Sequence, residues 1–256
     1  MTRTDPSLRE LTAAIDTERA TILDAARPEA MRKLEERGRL SARARIERLV
    51  DPDTFEEIGG LVVEDHPAGA PSPRQKAPAD GVVIGTARID SRPAVIVSQD
   101  FSVFGGSISK LGSDKTHRAL QIAIRRGVPL VMLLDGGGHR IQGGQNSRHF
   151  AKANTMFHDL ARASGWIPMV ALMLGAGFAG PTNYAGLADF VVMVRGLSTM
   201  GIAGPALVKA GTGEDIDIEA LGGASVQVDK QGLADLGVAS EDEAFAAARR
   251  FLSYLP

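Results

Sequence analysis

Two glycine-rich segments directly follow apolar runs, and they constrain the fold of this chain more than any other feature. Residues 128–134 and 168–174 carry only apolar side chains, and glycine-rich segments follow at 135–142 and 175–180. Continuous apolar runs of this length are typical of strands that are buried on both faces of a parallel sheet. Glycine turns at strand ends leave backbone N–H groups accessible to an oxygen atom. The sequence therefore predicts two buried strands that end in a pair of oxyanion-binding turns.

The rest of the chain alternates between strand and helix patterns. Strands are predicted over 82–89, 93–98 and 190–194, and helices over 114–126, 146–164, 180–187 and 241–253. This alternation favours βαβ crossovers and a mostly parallel sheet, which is an α/β fold. Residues 65–80 hold four prolines and no large apolar side chain, so we expect an exposed flap there.

The first fifty residues read as a helical extension. We predict helices that are broken at Pro28, with Gly38 as a C-cap and Ser41 as an N-cap, and place the domain boundary between 1–50 and 51–256. Seven basic residues lie between Arg32 and Arg48. They form either a solvated helix face or a docking surface for the phosphates of a nucleotide-like ligand, and the sequence leaves both open.

Composition excludes several kinds of chemistry. The chain has no cysteine, which removes disulfides, thiolate nucleophiles and cysteine-ligated zinc. A formal net charge of −2 gives no reason to expect nucleic acid or an anionic membrane as a partner. No signal peptide or membrane-length apolar run is visible, so we expect a cytoplasmic protein. His66, His117, His149 and His158 lack metal-ligand spacing, and we assign no metal.

Several blocks of sequence together resemble one enzyme family. They are Arg-Gly-Arg-Leu-Ser-Ala-Arg at 37–43, Asp-Gly-Val-Val at 80–83, Ser-Gln-Asp-Phe-Ser-Val-Phe-Gly-Gly-Ser at 98–107, the two glycine segments, Thr-Gly-Glu at 212–214 and Leu-Gly-Gly-Ala at 221–224. In this order and spacing they resemble the N-terminal half of the carboxyltransferase (beta) subunit of biotin-dependent acyl-CoA carboxylases, of the propionyl-CoA carboxylase beta type. The resemblance implies a crotonase-like ββα spiral that follows the N-terminal helical extension.

The resemblance also implies a reaction. Carboxybiotin on a separate carrier protein releases CO2, the biotin ureido group takes the α-proton of an acyl-CoA, and the resulting enolate attacks CO2. Backbone amides of the N-terminal half hold the thioester enolate, and the C-terminal half holds the biotin oxyanion. The absence of a Gly-x-Ser-x-Gly or His-Glu-x-x-His motif agrees with a mechanism that uses backbone donors.

Site residues follow from these motifs. The catalytic candidates are the residues of the two turns, namely Gly137, Gly138, His139, Ala179 and Gly180. The candidates for binding the acyl-CoA or biotin are Phe104, Gly105, Gly106, Arg140, Gln142 and Gly175. Glycines that merely permit tight turns would give the same pattern.

This sequence departs from the family pattern at the turns. Gly136, His139 and Gly143 stand where the family usually has Ser, Ala and Glu, and Gln227 stands where it has His. These positions lie near the expected acyl pocket, so the acyl group could be unusual. A histidine there could act as a general acid or base, but we interpret His139 as tuning substrate choice.

Nothing in the chain resembles the C-terminal half, a biotin-attachment site or an ATP-binding module. We therefore expect either a split subunit or one half of a larger assembly, which needs a C-terminal-half partner together with biotin carrier and biotin carboxylase components. The resemblance suggests trimeric rings stacked into hexamers. Two alternatives stay open: a biotin-independent acyl-CoA decarboxylase or hydrolase with the same hole, and a non-catalytic structural paralogue.

Overall fold

The computed structural model describes residues 6–62, 77–140 and 154–255. Its strands are β1 (Glu56–Ile58), β2 (Val82–Ile89), β3 (Arg92–Gln99), β4 (Leu130–Leu134), β5 (Met169–Met173), β6 (Ala176–Phe178), β7 (Phe190–Val194), β8 (Thr199–Gly201) and β9 (Leu236–Val238). Its helices, numbered in chain order, are α1 (Leu8–Ala20), α2 (Pro28–Glu35), α3 (Ala42–Leu49), α4 (Lys110–Arg126), α5 (Asn154–Ala163), α6 (Gly180–Ala185), α7 (Pro205–Thr212), α8 (Ile218–Gly222), α9 (Ala224–Gln227) and α10 (Glu241–Ser253).

A seven-stranded sheet in the order β1-β2-β3-β4-β5-β7-β9 forms the centre of the fold. β2 is antiparallel to both of its neighbours, β1 and β3, and every later neighbouring pair is parallel. β6 and β8 form a separate parallel pair beside the main sheet. The predicted α/β alternation is therefore confirmed, with an antiparallel edge added to a parallel sheet.

Both faces of the sheet are buried, which explains the continuous apolar runs. In β4, Leu130, Met132 and Leu134 belong to the core under α4 and α5, whereas Val131 and Leu133 belong to the core under α3 and α10. Successive side chains of a strand point to opposite faces, so a strand between two helical layers needs apolar residues at every position.

The helix boundaries agree with the predicted caps. Pro28 occupies the first turn of α2, and Gly38 ends that helix at φ +63° while Arg39 N–H donates to Leu34 O at 3.0 Å. This is the hydrogen bond of a Schellman motif, which requires a left-handed residue. Ser41 caps α3 by accepting a hydrogen bond from Ala44 N–H at 3.0 Å.

The predicted flap is wrong for its last residues. Residues 77–80 are buried, and Ala79 and Asp80 adopt left-handed backbone conformations with φ of 52° and 54°. The Asp80 carboxylate accepts hydrogen bonds from the Ser109 hydroxyl and from Gly112 N–H at the start of α4. Satisfying these donors anchors the segment inside the protein. The remainder of the predicted flap, up to residue 76, lies outside the described residues.

Lys115 gives the fold an expected dependence on alkaline pH. Its ammonium donates to Ala79 O at 2.7 Å and Val82 O at 2.5 Å, and burial lowers its pKa from 10.5 to about 8. Between these values the unfolded chain binds more protons than the folded one, so stability rises with pH in that window. Relative to Lys115→Met, we expect the wild type to gain about 3 kcal/mol between about pH 8 and pH 10.5, measured by urea unfolding. A parallel pH dependence in the two proteins would contradict this.

Candidate active site

The two glycine turns meet at one edge of the sheet. β4 and β5 are parallel neighbours, so the segments that follow them leave the sheet side by side. Gly136 N–H donates to Ala176 O at 2.7 Å, which ties the first turn to the second. A Cβ added to Gly138 would lie 3.2 Å from the Cβ of Ala179 and 3.4 Å from Phe178 O. The predicted approach of the two turns is therefore present in the structure.

Two residues of these turns have backbone conformations that few side chains adopt. Gly138 has φ +76°, and Ala179 has φ +62° with ψ −115°. For alanine such a conformation costs about 1–3 kcal/mol and persists only where the surroundings enforce it. Here the Ala179 N–H donates to Gly201 O at 2.8 Å, and Pro181 follows in the first turn of α6. These neighbours hold Ala179 in its strained conformation at the start of α6.

Gly138 and Gly180 supply the N–H groups that are available to a ligand. Neither group donates a hydrogen bond to any residue in the described parts of the chain, and Gly180 is the first residue of α6, where helical N–H groups have no intrahelical acceptor. The N–H groups of Gly137 and Ala179 are already used by Gly105 O, at 3.3 Å, and by Gly201 O. Gly137 and Ala179 therefore shape the turns. The first turn keeps Gly138 N–H as a donor for a ligand, and the second keeps Gly180 N–H.

Both turns line a cavity of about 200 Å³. Its apolar wall comes from Ile108, Met156, Phe157 and Tyr184, and the aromatic rings of the last two lie 5.7 Å apart between centroids. Burial raises the pKa of Tyr184 to about 12, so its phenol stays protonated at neutral pH. Ligand pockets usually measure about 300–1,000 Å³, so this space suits the acyl end of a ligand rather than a whole coenzyme.

One face of α4 forms the polar wall of this cavity, with side chains spaced three or four residues apart. Lys110, Ser113, Asp114 and His117 lie on it, and Lys110 pairs with Asp114 at 3.0 Å. His139 lies opposite, exposed at the first turn. Sequence reasoning selected His139 but missed the α4 face, although its helical spacing was visible in the sequence.

A buried network of ion pairs around Asp135 supports the start of the first turn. Asp135 directly follows β4, and its carboxylate accepts hydrogen bonds from Arg39 and Arg45, each at 2.8 Å. Its N–H donates to Gln99 Oε1 at 2.9 Å. A Cβ on Gly175 would lie 2.0 Å from Asp135 Oδ1, so glycine is required there to make room for the carboxylate. Burial raises the pKa of Asp135, and the guanidinium of Arg45 opposes that shift.

The predicted ligand-binding residues fall into separate places. Gly106 and Gly175 are packed against Asp135 and support the turn. Arg140 is buried, with Nη1 2.7 Å from Asp80 Oδ1, and its guanidinium carbon lies 4.8 Å from the centroid of the Phe104 ring. Gln142 and the departure at Gly143 lie outside the described residues.

Phe104 and Gly105 line a second cavity of about 620 Å³, beside Arg27, Lys33 and Arg37. Six of the seven basic residues from Arg32 to Arg48 form ion pairs with carboxylates. Arg37 is the exception, since it forms no ion pair with any of the described residues. The guanidinium of Arg37 lies 5.9 Å from the centroid of the Phe101 ring. Most of these charges therefore hold the N-terminal helices in place, and neither interpretation of the basic run describes all seven.

Three further observations concern the described residues. No group of three or more His, Asp or Glu side chains there is arranged to hold a metal ion. No helix in the same part of the chain is both long and apolar enough to cross a membrane. Gln227 is buried, donates from Nε2 to Met200 O at 3.2 Å, and has no partner at Oε1 within the described residues.

Comparisons with known proteins identify the family. Residues 33–256 match the carboxyl transferase domain. The biotin-dependent acetyl-/propionyl-coenzyme A carboxylase beta5 subunit of Mycobacterium tuberculosis (strain ATCC 25618 / H37Rv) is 39% identical over 229 residues, which are 89% of this chain and 41% of that protein. The chain thus spans less than half the length of this curated relative.

Solved structures agree with the sequence comparison. The transcarboxylase 12S structure with methylmalonyl-coenzyme A and methylmalonic acid bound has a TM-score of 0.87 and 30% identity, covering 99% of this chain and 49% of that one. A Pseudomonas malonate decarboxylase hetero-tetramer has a TM-score of 0.66 and 26% identity, covering 84% of this chain and 82% of that one. The predicted crotonase-like α/β fold is confirmed, and the chain belongs to the carboxyl transferase domain family of the acyl-CoA carboxylase beta subunits.

Proposed function

We propose that this chain is the acyl-CoA-binding half of a biotin-dependent carboxyltransferase. It would receive a carboxyl group from carboxybiotin, carried on a separate protein, and transfer it to the α carbon of an acyl-CoA. The observation that carries this proposal is that the N–H groups of Gly138 and Gly180, which have no acceptor among the described residues, belong to two touching turns on one small cavity. Two donors directed at one carbonyl oxygen form an oxyanion hole.

The chemistry follows from where negative charge develops. Removing the α-proton of a thioester moves charge onto the thioester oxygen, and an N–H donor in place for that oxygen lowers the barrier without needing a charged side chain. Each donor is worth about 3–4 kcal/mol in comparable enzymes. An apolar wall made by Ile108, Phe157 and Tyr184 lies on the same cavity, and a hydrogen bond is stronger where apolar groups replace water beside it.

The missing components follow from the length comparison. Because the chain spans 41% of its curated relative, we propose that a C-terminal half supplies the biotin side, either on the same polypeptide or as a partner subunit. Biotin carboxylase and biotin carrier components, an oligomer of stacked trimers and a cytoplasmic location complete the proposal.

A second candidate is a biotin-independent acyl-CoA decarboxylase or hydrolase. The similarity to a malonate decarboxylase chain, at 26% identity and over 82% of the length of that chain, favours it. The same hole would hold the enolate that remains after CO2 departs. In a non-catalytic paralogue, by contrast, the turns would bind no acyl-CoA.

Calorimetry and reconstitution separate these possibilities. We expect the purified chain to bind propionyl-CoA and methylmalonyl-CoA more tightly than free CoA, because the acyl group fills the cavity. The chain alone should show no carboxylation with a carboxybiotin carrier, and adding a C-terminal carboxyltransferase half should start it. Absence of acyl-CoA binding would support the structural paralogue, and release of CO2 from methylmalonyl-CoA without biotin would support the decarboxylase.

A further inference from the structure

A histidine–aspartate pair lies beside the proposed oxyanion hole and plays no part in the function argued so far. His117 on α4 lines the same cavity as Gly138 and Gly180. Its Nε2 lies 2.6 Å from Oδ2 of Asp159 on α5, and both side chains are partly buried. The two residues are 42 positions apart in sequence, so only the packing of α4 against α5 brings them together.

The hydrogen bond decides which nitrogen can react. An ionised carboxylate can only accept hydrogen bonds. We therefore assign the proton of the neutral His117 ring to Nε2, which leaves the lone pair on Nδ1. No residue in the described ranges hydrogen-bonds to Nδ1. Hydrogen bonds from His117 and then His158 lower the pKa of Asp159, which keeps it ionised. A base oriented by a carboxylate is the arrangement that many enzymes use for proton transfer.

We propose that His117, oriented by Asp159, is an acid–base residue that exchanges a proton with the α carbon of the acyl group in this cavity. The proposal rests on the proposed acyl-CoA site. Nδ1 takes the α-proton, and the electron pair of the broken C–H bond forms the enolate double bond. The π electrons of the thioester C=O bond move onto its oxygen, which accepts hydrogen bonds from the N–H groups of Gly138 and Gly180. The imidazolium then returns the proton to carbon in the reverse step.

The charged surroundings are compatible with this step. Asp159 stabilises the imidazolium from α5, and His158 contacts the other oxygen of that carboxylate at 3.1 Å. Asp114 and Lys110 pair with each other on the same face of α4, so their charges largely cancel near the ring. His139 and Tyr184 are the remaining titratable groups among the described residues that line the cavity, and burial keeps the phenol of Tyr184 protonated at neutral pH.

This residue would give the chain an activity that needs no biotin. In the biotin-dependent reaction the ureido group takes the proton, so an N-terminal half alone should leave the α-hydrogens of its substrate untouched. A protein base in the cavity would instead exchange them with solvent. Hydrogen exchange at the α carbon therefore isolates the contribution of His117 from that of any partner.

The test follows propionyl-CoA in D2O with the whole chain and no carrier protein. We expect deuterium to enter the α position, and His117→Gln to slow this by about 100-fold or more. Asp159→Asn should shift the acid limb of the pH–rate profile to lower pH, because the imidazolium loses its partner. His158→Gln is the matched control, since its side chain is 66% exposed and touches the same carboxylate; we expect a change of about twofold at most.

Calorimetry with propionyl-CoA on the same proteins separates the two proposals. Binding without exchange by the wild type would overturn the role of His117 and leave the proposed function intact. Equal exchange rates in the wild type and His117→Gln would also overturn it. Loss of binding in His117→Gln alone would show a ligand contact in place of proton transfer. No binding by the wild type would overturn the proposed function and this inference with it.

Discussion

Arg45→Met is expected to destabilise the chain by about 3–5 kcal/mol, a large part of the total stability of an ordinary domain. The guanidinium is 1% exposed and donates to both oxygens of Glu241 at 2.8 Å, to Asp135 at 2.8 Å and to Leu174 O at 2.9 Å. Removing it leaves two carboxylates and a carbonyl without this partner in the protein interior. Burial already raises the pKa of Asp135, so its protonation is the expected response.

Arg48→Met provides the matched control for this prediction. Arg48 lies on the same helix, but its pair with Asp242 is half exposed, so we expect a loss of no more than about 1 kcal/mol. Urea unfolding measures both variants. If Arg45→Met does not fold, Arg45→Lys keeps the charge and loses the forked geometry, and should lie between the two. Equal stabilities for Arg45→Met and Arg48→Met would contradict the importance of the network.

Gly180→Pro is expected to lower the turnover of the reconstituted carboxyltransferase by about 10²–10³-fold. The substitution removes one proposed donor, because proline has no N–H, while the first residue of a helix is where proline is best tolerated. Acyl-CoA affinity should change much less than turnover, since the donor acts on charge that develops after binding.

Gly180→Ala is the matched variant, because it adds a Cβ and keeps the N–H. That Cβ would lie 3.2 Å from Ile108 Cδ1, the end of a flexible side chain that can move. We expect this variant to retain most of the turnover. A proline at position 180 also restricts the backbone of Ala179, which already has unusual angles. A second pair of variants therefore combines Ala179→Gly with Gly180→Pro and with Gly180→Ala, because glycine adopts those angles more easily. Equal losses in the proline and alanine variants of both pairs would contradict the proposal that Gly180 N–H belongs to an oxyanion hole.

Sequence patterns predicted the parts of this fold that are long and regular. β2, β3, β5, β7 and α10 lie within a residue or two of their predicted bounds. β1, β8 and β9 were missed because each has three residues, too few for a period to show. The start of α4 was missed because Gly112 lies in its first turn, where Ser109 caps the helix by accepting a hydrogen bond from that residue at 2.8 Å.

The sequence predicted the position of the candidate site, because the ends of the two buried strands are visible in it. Two buried parallel strands must end at one edge, so their glycine turns were expected to meet. Which amides remain available depends on distant partners such as Gly201, whose carbonyl occupies the N–H of Ala179. The pairs of Arg45 with Asp135 and Glu241 span 90 and 196 residues of sequence, and no local pattern encodes them.

Long-range ion pairs connect the two parts into which the sequence divides the chain. The boundary predicted at residue 50 follows helix content, yet Arg39 and Arg45 cross it to reach the carboxylate beneath the first turn. A fragment beginning at residue 51 would lack the counter-charges that Asp135 depends on. The early helices therefore support the first turn mechanically, and a partner that displaced them would alter the geometry of the proposed acyl-CoA site through the protein interior.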